Sequence, residues 1–199
     1  MRRIFGAVAV CALAVLVLAA TGAGAAGNKL EIGQKVPNFT LPGVDGKTYS
    51  LADLLKGRKA LIVIWIATRC PVSKAYDERM AALGKEFAAK GVGFVGINSN
   101  KQEPFDEVKR HAQAAGFTFP VLKDEGNKVA DQWHAQVTPE AFLVTPDGIL
   151  RYHGAIDDSK DPAKVTKHYL RDAITAVLAG KTPDPAETKA FGCTVKRVK

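Results

Sequence analysis

A chain of 199 residues, 47% of them hydrophobic, is large enough for one domain with a core of its own and has no need of covalent staples. Its 28 Lys and Arg against 20 Asp and Glu give a net charge of +8. The lysines are spread along the chain, apart from a basic end at Lys196, Arg197 and Lys199, so this charge describes a solvated surface and excludes a nucleic-acid-binding patch.

Arg2 and Arg3 open the chain, an apolar run extends from Ile4 to Ala20, and small residues follow at Ala23-Gly24-Ala25-Ala26. This charged, apolar and cleavable order predicts a signal peptide over residues 1–26 and export to a periplasmic or other extracytoplasmic space. The other reading is a retained anchor, the only basis for a membrane partner, because the run approaches the roughly 18–20 residues that span a bilayer. Cleavage removes two arginines and no acid, leaving (28 − 2) − 20 = +6. It also removes Cys11 and leaves Cys70 and Cys193. In an oxidising compartment such a pair is either a structural disulfide or a redox couple.

The rest parses as a domain over residues 27–180 and a tail over 181–199, the composition shifting after Gly180. Pro37 to Leu41 reads as a short strand, and Asp45-Gly46 turns the chain toward Thr48 and Tyr49. Ser50-Leu51-Ala52-Asp53 caps a short helix that stops near Gly57. Ala60 to Ile66 lacks polar alternation, as a strand covered on both faces does. From Pro71 the apolar period becomes 3.6, with Val72, Tyr76, Met80, Leu83 and Phe87 on one face, which predicts a helix of about five turns ending before Gly91.

Val92 to Ile97 reads as the next buried strand, 104–115 as a helix, Phe119 to Leu122 as a strand and Val129 to His134 as a helix. Pro146-Asp147-Gly148 joins two strands into a hairpin. Asp161-Pro162 caps a closing helix with its apolar stripe from Val165 to Leu178. Strand–helix units followed by a hairpin and a helix predict an α/β three-layer sandwich, a mixed central sheet flanked by helices.

Cys70 falls between the end of a buried strand and the first turn of a helix, where Pro71 suits the first helical position. Unpaired N–H groups there, with the charge of Arg69, favour the nucleophilic thiolate. His111, His134, His153 and His168 show no paired ligand spacing and read as surface or strand-edge residues, so neither a metal nor another cofactor is expected.

The segment Trp65-Ile66-Ala67-Thr68-Arg69-Cys70-Pro71-Val72-Ser73 resembles the active-site segment of the thioredoxin superfamily, with Cys70 matching the first cysteine of Cys-x-x-Cys and Ser73 replacing the second. Val137-Thr138-Pro139 resembles the loop carrying that fold's cis-proline, which implies that Thr138 and Pro139 face Cys70. Lys35 to Leu41, Asp45-Gly46-Lys47 and Ser50-Leu51 resemble the AhpC/TSA redoxin branch over roughly residues 33–179, and the run Thr68-x-Cys70-Pro71-x-Ser73-x-x-Tyr76-x-x-Arg79-Met80 is most similar to its peroxiredoxin-like members.

Two positions depart from the family. The peroxidase threonine three residues before the cysteine is Ala67, with Thr68 standing two before, and Ser73 cannot resolve a mixed disulfide. The resemblance therefore implies a thiol oxidoreductase acting by disulfide exchange or peroxide reduction, with a protein thiol, disulfide or peroxide as substrate and an outside reductant. Cys70 is the expected nucleophile and Cys193, in Ala190-Phe191-Gly192-Cys193-Thr194, the candidate resolving thiol; permanent pairing and no pairing stand beside redox pairing. Ser73 is expected to donate to the thiolate and Arg79 to support it by charge, against a helix-cap role for Ser73 and an ion pair with Glu86 or Asp77 for Arg79. A non-catalytic module that holds an extended partner between Cys70 and Pro139 is the rival from another class.

Overall fold

The computed structural model of the protein describes residues 29–198, so the predicted signal segment, Cys11 and Lys199 lie outside the described residues. In chain order the elements are β1 (Thr40–Pro42), β2 (Thr48–Ser50), α1 (Leu51–Leu55), β3 (Ala60–Trp65), α2 (Pro71–Lys74), α3 (Asp77–Ala88), β4 (Val92–Asn98), α4 (Phe105–Ala114), β5 (Val121–Lys123), α5 (Lys128–Gln132), β6 (Val137–Thr138), β7 (Glu140–Val144), β8 (Leu150–Gly154), α6 (Tyr169–Leu178) and β9 (Cys193–Thr194). Single 3-10 turns stand at Glu125–Asn127 and Pro162–Lys164.

The apolar run of β3 fills the middle of a five-stranded sheet of order β5-β4-β3-β7-β8. It runs parallel to β4, with Ala60 opposite Val92, and antiparallel to β7, with Leu61 opposite Val144. Its side chains alternate between two cores, as a period of two requires. Ile62 and Ile64 join Met80, Phe87, Val108, Leu170 and Ile174 beneath α3, α4 and α6. Leu61, Val63 and Trp65 join Leu51, Leu55, Val129, Trp133 and Phe142 beneath α1 and α5. Burial on both faces explains why β3 carries no polar residue. The result is a mixed sheet between helical layers, the expected α/β sandwich.

Two predicted helices break, one through a long-range contact and the other through a side chain eight residues upstream. The helix from Pro71 is interrupted at Ala75 and Tyr76, where Tyr76 N–H bonds Ser73 C=O instead of the carbonyl four residues back. Tyr76 turns inward to donate to Asp157 Oδ1 at 2.7 Å, and Arg79 stacks on its ring at 3.7 Å from the centroid. The Arg79 guanidinium also donates to Asp157 Oδ2 at 2.6 Å and to the carbonyls of Ala75, Ser159 and Lys160. It thus satisfies the Ala75 carbonyl at the break and clamps the 157–160 loop against it. The closing helix is cut likewise. Asp161 caps only a 3-10 turn, because Asp158 takes the N–H groups of Thr166 and Lys167 and the Thr166 hydroxyl, holding 165–168 out of helical register.

The first strand begins at Thr40, three residues later than the periodicity suggests. Two histidines expected at the surface are mostly buried, His111 Nε2 at 2.7 Å from Asp77 and His153 Nε2 at 2.7 Å from Glu140. The tail packs along the domain: Thr188 N–H bonds His153 C=O, and its hydroxyl accepts from Ala155 N–H in the space that a side chain at Gly154 would fill.

Candidate active site

Leaving β3, the chain stays in register through Ile66, whose N–H bonds Ile97 C=O, and then turns out of the sheet. The turn is held by its main chain. Ala67 N–H donates to Ser73 Oγ at 3.0 Å, Thr68 N–H to Glu103 Oε2 at 2.9 Å and Arg69 N–H to Glu103 Oε1 at 3.0 Å. Cys70 follows with extended backbone and caps α2, its Sγ accepting from Ser73 N–H at 3.3 Å, and Pro71 takes the first helical position, where no N–H is needed.

Across from Cys70 lies β6. The Cys70 thiol is 3.4 Å from the Thr138 carbonyl oxygen, and the Thr138–Pro139 peptide is cis. The partner strand of β6 is the tail segment β9, in antiparallel register with Thr138 opposite Cys193. This register brings the side chains of Cys70 and Cys193 into contact as two free thiols, Cys70 buried and Cys193 half-buried. Burial raises the pKa of the Cys70 thiol, but hydrogen bonds from Cys193, Ser73 N–H and Thr138 outweigh it, and the pKa falls below its ordinary value. Cys193 shifts the other way, raised by its bond to Cys70, by burial and by the negative charge on Cys70, against the opposing pull of Val72 N–H and Lys196. Of the two thiols, Cys70 is therefore the more acidic.

Of the other sequence candidates, Ser73 approaches the sulfur through its N–H rather than its hydroxyl, which is committed as acceptor to Ala67. The Thr68 hydroxyl donates to Glu107 at 2.9 Å. Arg69 spends its guanidinium on the same carboxylate, in two bonds at 2.8 and 2.6 Å, which lower the Glu107 pKa to about 2. The Arg79 guanidinium is bound to the 157–160 loop and Ala75, and its acidic partner is Asp157 rather than Glu86 or Asp77.

The residues that sequence reasoning missed form a buried polar cluster beside the loop. Glu103, fully buried, accepts four bonds, from Thr68 and Arg69 N–H and from the side-chain amides of Asn98 at 2.6 Å and Asn100 at 3.0 Å. Burial raises its pKa, and these donors pull it below the usual carboxylate value. Lys123 Nζ bonds Asn98 Oδ1 and Asn100 C=O, its own pKa lowered by burial. The outer oxygen of the Asn100 amide accepts Lys196 N–H from the tail at 2.7 Å. One cluster therefore ties down both segments that carry the cysteines. Glu140, next to Pro139, does similar work for β6, accepting Gln136 and Val137 N–H on Oε2.

The AhpC/TSA family model matches residues 32–153 of this chain. The chain belongs to the AhpC/TSA family. Among AhpC/TSA relatives, thiol-disulfide oxidoreductase ResA of Bacillus subtilis is 31% identical over 141 residues, 71% of this chain and 75% of that protein. A Mycobacterium tuberculosis protein provisionally named a peroxiredoxin is 33% identical over 132 residues, 65% of this chain and 80% of its own length. The crystal structure of a hypothetical protein from Sinorhizobium meliloti superposes with a TM-score of 0.79 at 34% identity, covering 86% of this chain and 97% of that one. The fold is thioredoxin-like and the family is one of redox proteins. Among the described residues no group of three or more His, Cys, Asp or Glu is arranged to hold a metal ion, and no helix is long and apolar enough to cross a membrane.

Proposed function

We propose that this AhpC/TSA protein is an exported thiol oxidoreductase in which Cys70 is the nucleophile and Cys193 the resolving thiol. The observation that carries the reading is the pairing of Thr138 with Cys193 across β6 and β9, beside the Cys70 sulfur. Ser73 leaves no second cysteine on the active-site helix, and the tail supplies one from the other side. Ser73 N–H donates to the Cys70 sulfur, the Thr138 carbonyl accepts from its thiol, Pro71 leaves that helix end open, and the Glu103 cluster holds the turn. Thr68, Arg69 and Arg79 act through the fold rather than on sulfur. Export rests on the order of charged, apolar and small residues over 1–26.

In the reaction, the Cys70 thiolate attacks an oxidised sulfur or a peroxide oxygen, releasing a thiolate or an alkoxide that takes up a proton. The Cys193 sulfur, deprotonated, then attacks Cys70 and expels the second leaving group, so that two electrons pass to the substrate and a Cys70–Cys193 disulfide remains. An external dithiol restores the pair. The non-catalytic module is disfavoured because the edge it needs beside Pro139 already carries β9.

The test is mass spectrometry of the protein after one equivalent of cystine or hydrogen peroxide. The expected product is an intramolecular Cys70–Cys193 bond that Cys70→Ser abolishes. Cys70 alkylation by iodoacetamide at neutral pH no faster than that of free cysteine, with no such bond formed, refutes the proposal.

A further inference from the structure

The tail has a second consequence at the same site, and it concerns what the enzyme accepts. Unpaired strand edges recruit extended chains by main-chain pairing. β6 is such an edge, two residues long and adjacent to the reactive sulfur, and its ladder partner here is β9. A polypeptide disulfide approaching Cys70 with its flanking backbone extended would need the edge of β6 that β9 occupies, paired at Thr138 with Cys193 and bonded at the Gln136 carbonyl by Val195 N–H.

The occupant is secured on both sides of Cys193. Before it, Gly192 lies so close to Thr138 that a side chain would overlap the Thr138 carbonyl. After it, Val195 is buried in the core and its N–H bonds Gln136 C=O at 2.9 Å. Lys196 N–H bonds Asn100, Lys101 N–H bonds Lys196 C=O, and Arg197 reaches Asp131 at 2.6 Å and the Ala135 carbonyl at 2.7 Å. Val198 N–H closes the series on Asn127 Oδ1 at 2.7 Å. A tethered strand acts at an effective concentration of order millimolar, so a free polypeptide at micromolar concentration making equal contacts is outcompeted about a thousandfold.

We infer that residues 192–198 are a specificity element: the docked tail closes Cys70 to extended polypeptides and restricts the enzyme to small oxidants without a backbone to pair, low-molecular-weight disulfides and hydroperoxides. The inference rests on Cys70 being the nucleophile. With a small disulfide RSSR the step is balanced as follows: the Cys70 thiolate forms a sulfur–sulfur bond to one R and expels RS⁻, Cys193 then displaces the second RS⁻, and two protons make two RSH while the enzyme is oxidised by two electrons. With a hydroperoxide the first leaving group is RO⁻ and the second is hydroxide, released as ROH and water.

The experiment measures single-turnover oxidation of the reduced full-length protein by cystine, hydrogen peroxide and insulin, whose interchain disulfides serve as the polypeptide probe. Val195→Asp puts a charge into the core beneath the tail, and Arg197→Ala is the milder release variant. Faster hydrogen exchange at the Val195 and Lys196 amides verifies release in each. Wild type is expected to react with insulin at least about 100-fold more slowly than with cystine, an allowance below the full tethering advantage. Val195→Asp should raise the ratio of the insulin rate to the cystine rate by about 10-fold or more, and Arg197→Ala by less, the cystine and peroxide rates of each variant carrying any change in the reactivity of Cys70 that follows loss of the Cys193 hydrogen bond. Wild type reducing insulin as fast as cystine overturns the inference, and so does a verified release that leaves the ratio of the insulin rate to the cystine rate unchanged. A wild-type Cys70 no more reactive than free cysteine toward all three probes withdraws the redox reading itself, and the inference with it.

Discussion

Replacing Glu103 by alanine tests whether the buried cluster holds the active-site turn. The carboxylate is fully buried and takes four donors, two of them the main-chain N–H groups of Thr68 and Arg69, which have no other acceptor within the turn. An orphaned buried donor costs roughly 1–3 kcal/mol, so these two, together with the loss of the acid facing Lys123, put the destabilisation at about 4 kcal/mol. For a domain of this size that is a fall in melting temperature of roughly 8–16 °C. Glu103→Gln keeps the size but turns an amide N–H₂ toward two donors, so it should lose less than alanine and still unfold earlier than wild type. The carboxyl pKa lies below its unfolded value, so its stabilisation is present above about pH 4.3 and disappears as pH falls through the lower folded value. Urea unfolding of wild type should therefore weaken through that window more steeply than that of Glu103→Gln. Closure of the Cys70–Cys193 bond, followed by stopped flow, should slow with the loosened turn. A Glu103→Ala variant that loses under about 1 kcal/mol and closes the bond at the wild-type rate would refute the reasoning.

Ser73→Ala removes the acceptor of the buried Ala67 N–H and should cost about 1–3 kcal/mol in urea, yet the pH midpoint of Cys70 alkylation should not move, because the donor to sulfur is the Ser73 main chain. Arg79→Ala breaks the buried pair with Asp157 and leaves three acceptors in the 157–160 loop and one at the helix break without their donor; a loss of about 3 kcal/mol without change in alkylation rate is expected, whereas a slowed alkylation would restore a charge role for Arg79. In Cys193→Ser, peroxide should leave Cys70 as a sulfenic acid that dimedone traps, and recovery of a closed disulfide in that variant would contradict the assignment of the resolver.

The sheet was readable because its information is local. The run from Ala60 to Ile66 can be buried only on two faces, and a proline after a cysteine at a strand end marks a helix start wherever it occurs. The helix break at Tyr76 was not readable, since the apolar period from Val72 to Phe87 is that of an unbroken helix and the cause is Asp157, about 80 residues on. Asp158 acts over only eight residues, reaching forward to Thr166, and went unread because the apolar stripe from Val165 is otherwise regular. Glu103 left no local signal, since it stands among the polar residues of a loop and its four partners come from two segments, two of them from the turn at Thr68 and Arg69 some 35 residues back. Ser73 was misjudged in a narrower way, because a sequence shows which side chain is present and does not show that the neighbouring N–H reaches the sulfur first.

On the proposed mechanism the resolving thiol comes from the tail, and a thiol on a loose tail would lose the entropy of closing a loop at every turnover. Here that ordering is completed in the resting fold, because Cys193 sits in a two-residue ladder with anchored residues on both sides. Fixing the thiol in this way has a structural price in the form of the edge that β9 consumes. On the proposed roles, resolution within the chain and access for an extended chain therefore compete for the edge of β6. The Asn100 amide joins the two halves, one end on Glu103 under the Cys70 turn and the other on Lys196 behind Cys193, so a change that loosens the tail also loosens the nucleophile's support. The proposed substrate selection and the proposed disulfide closure rest on one set of contacts.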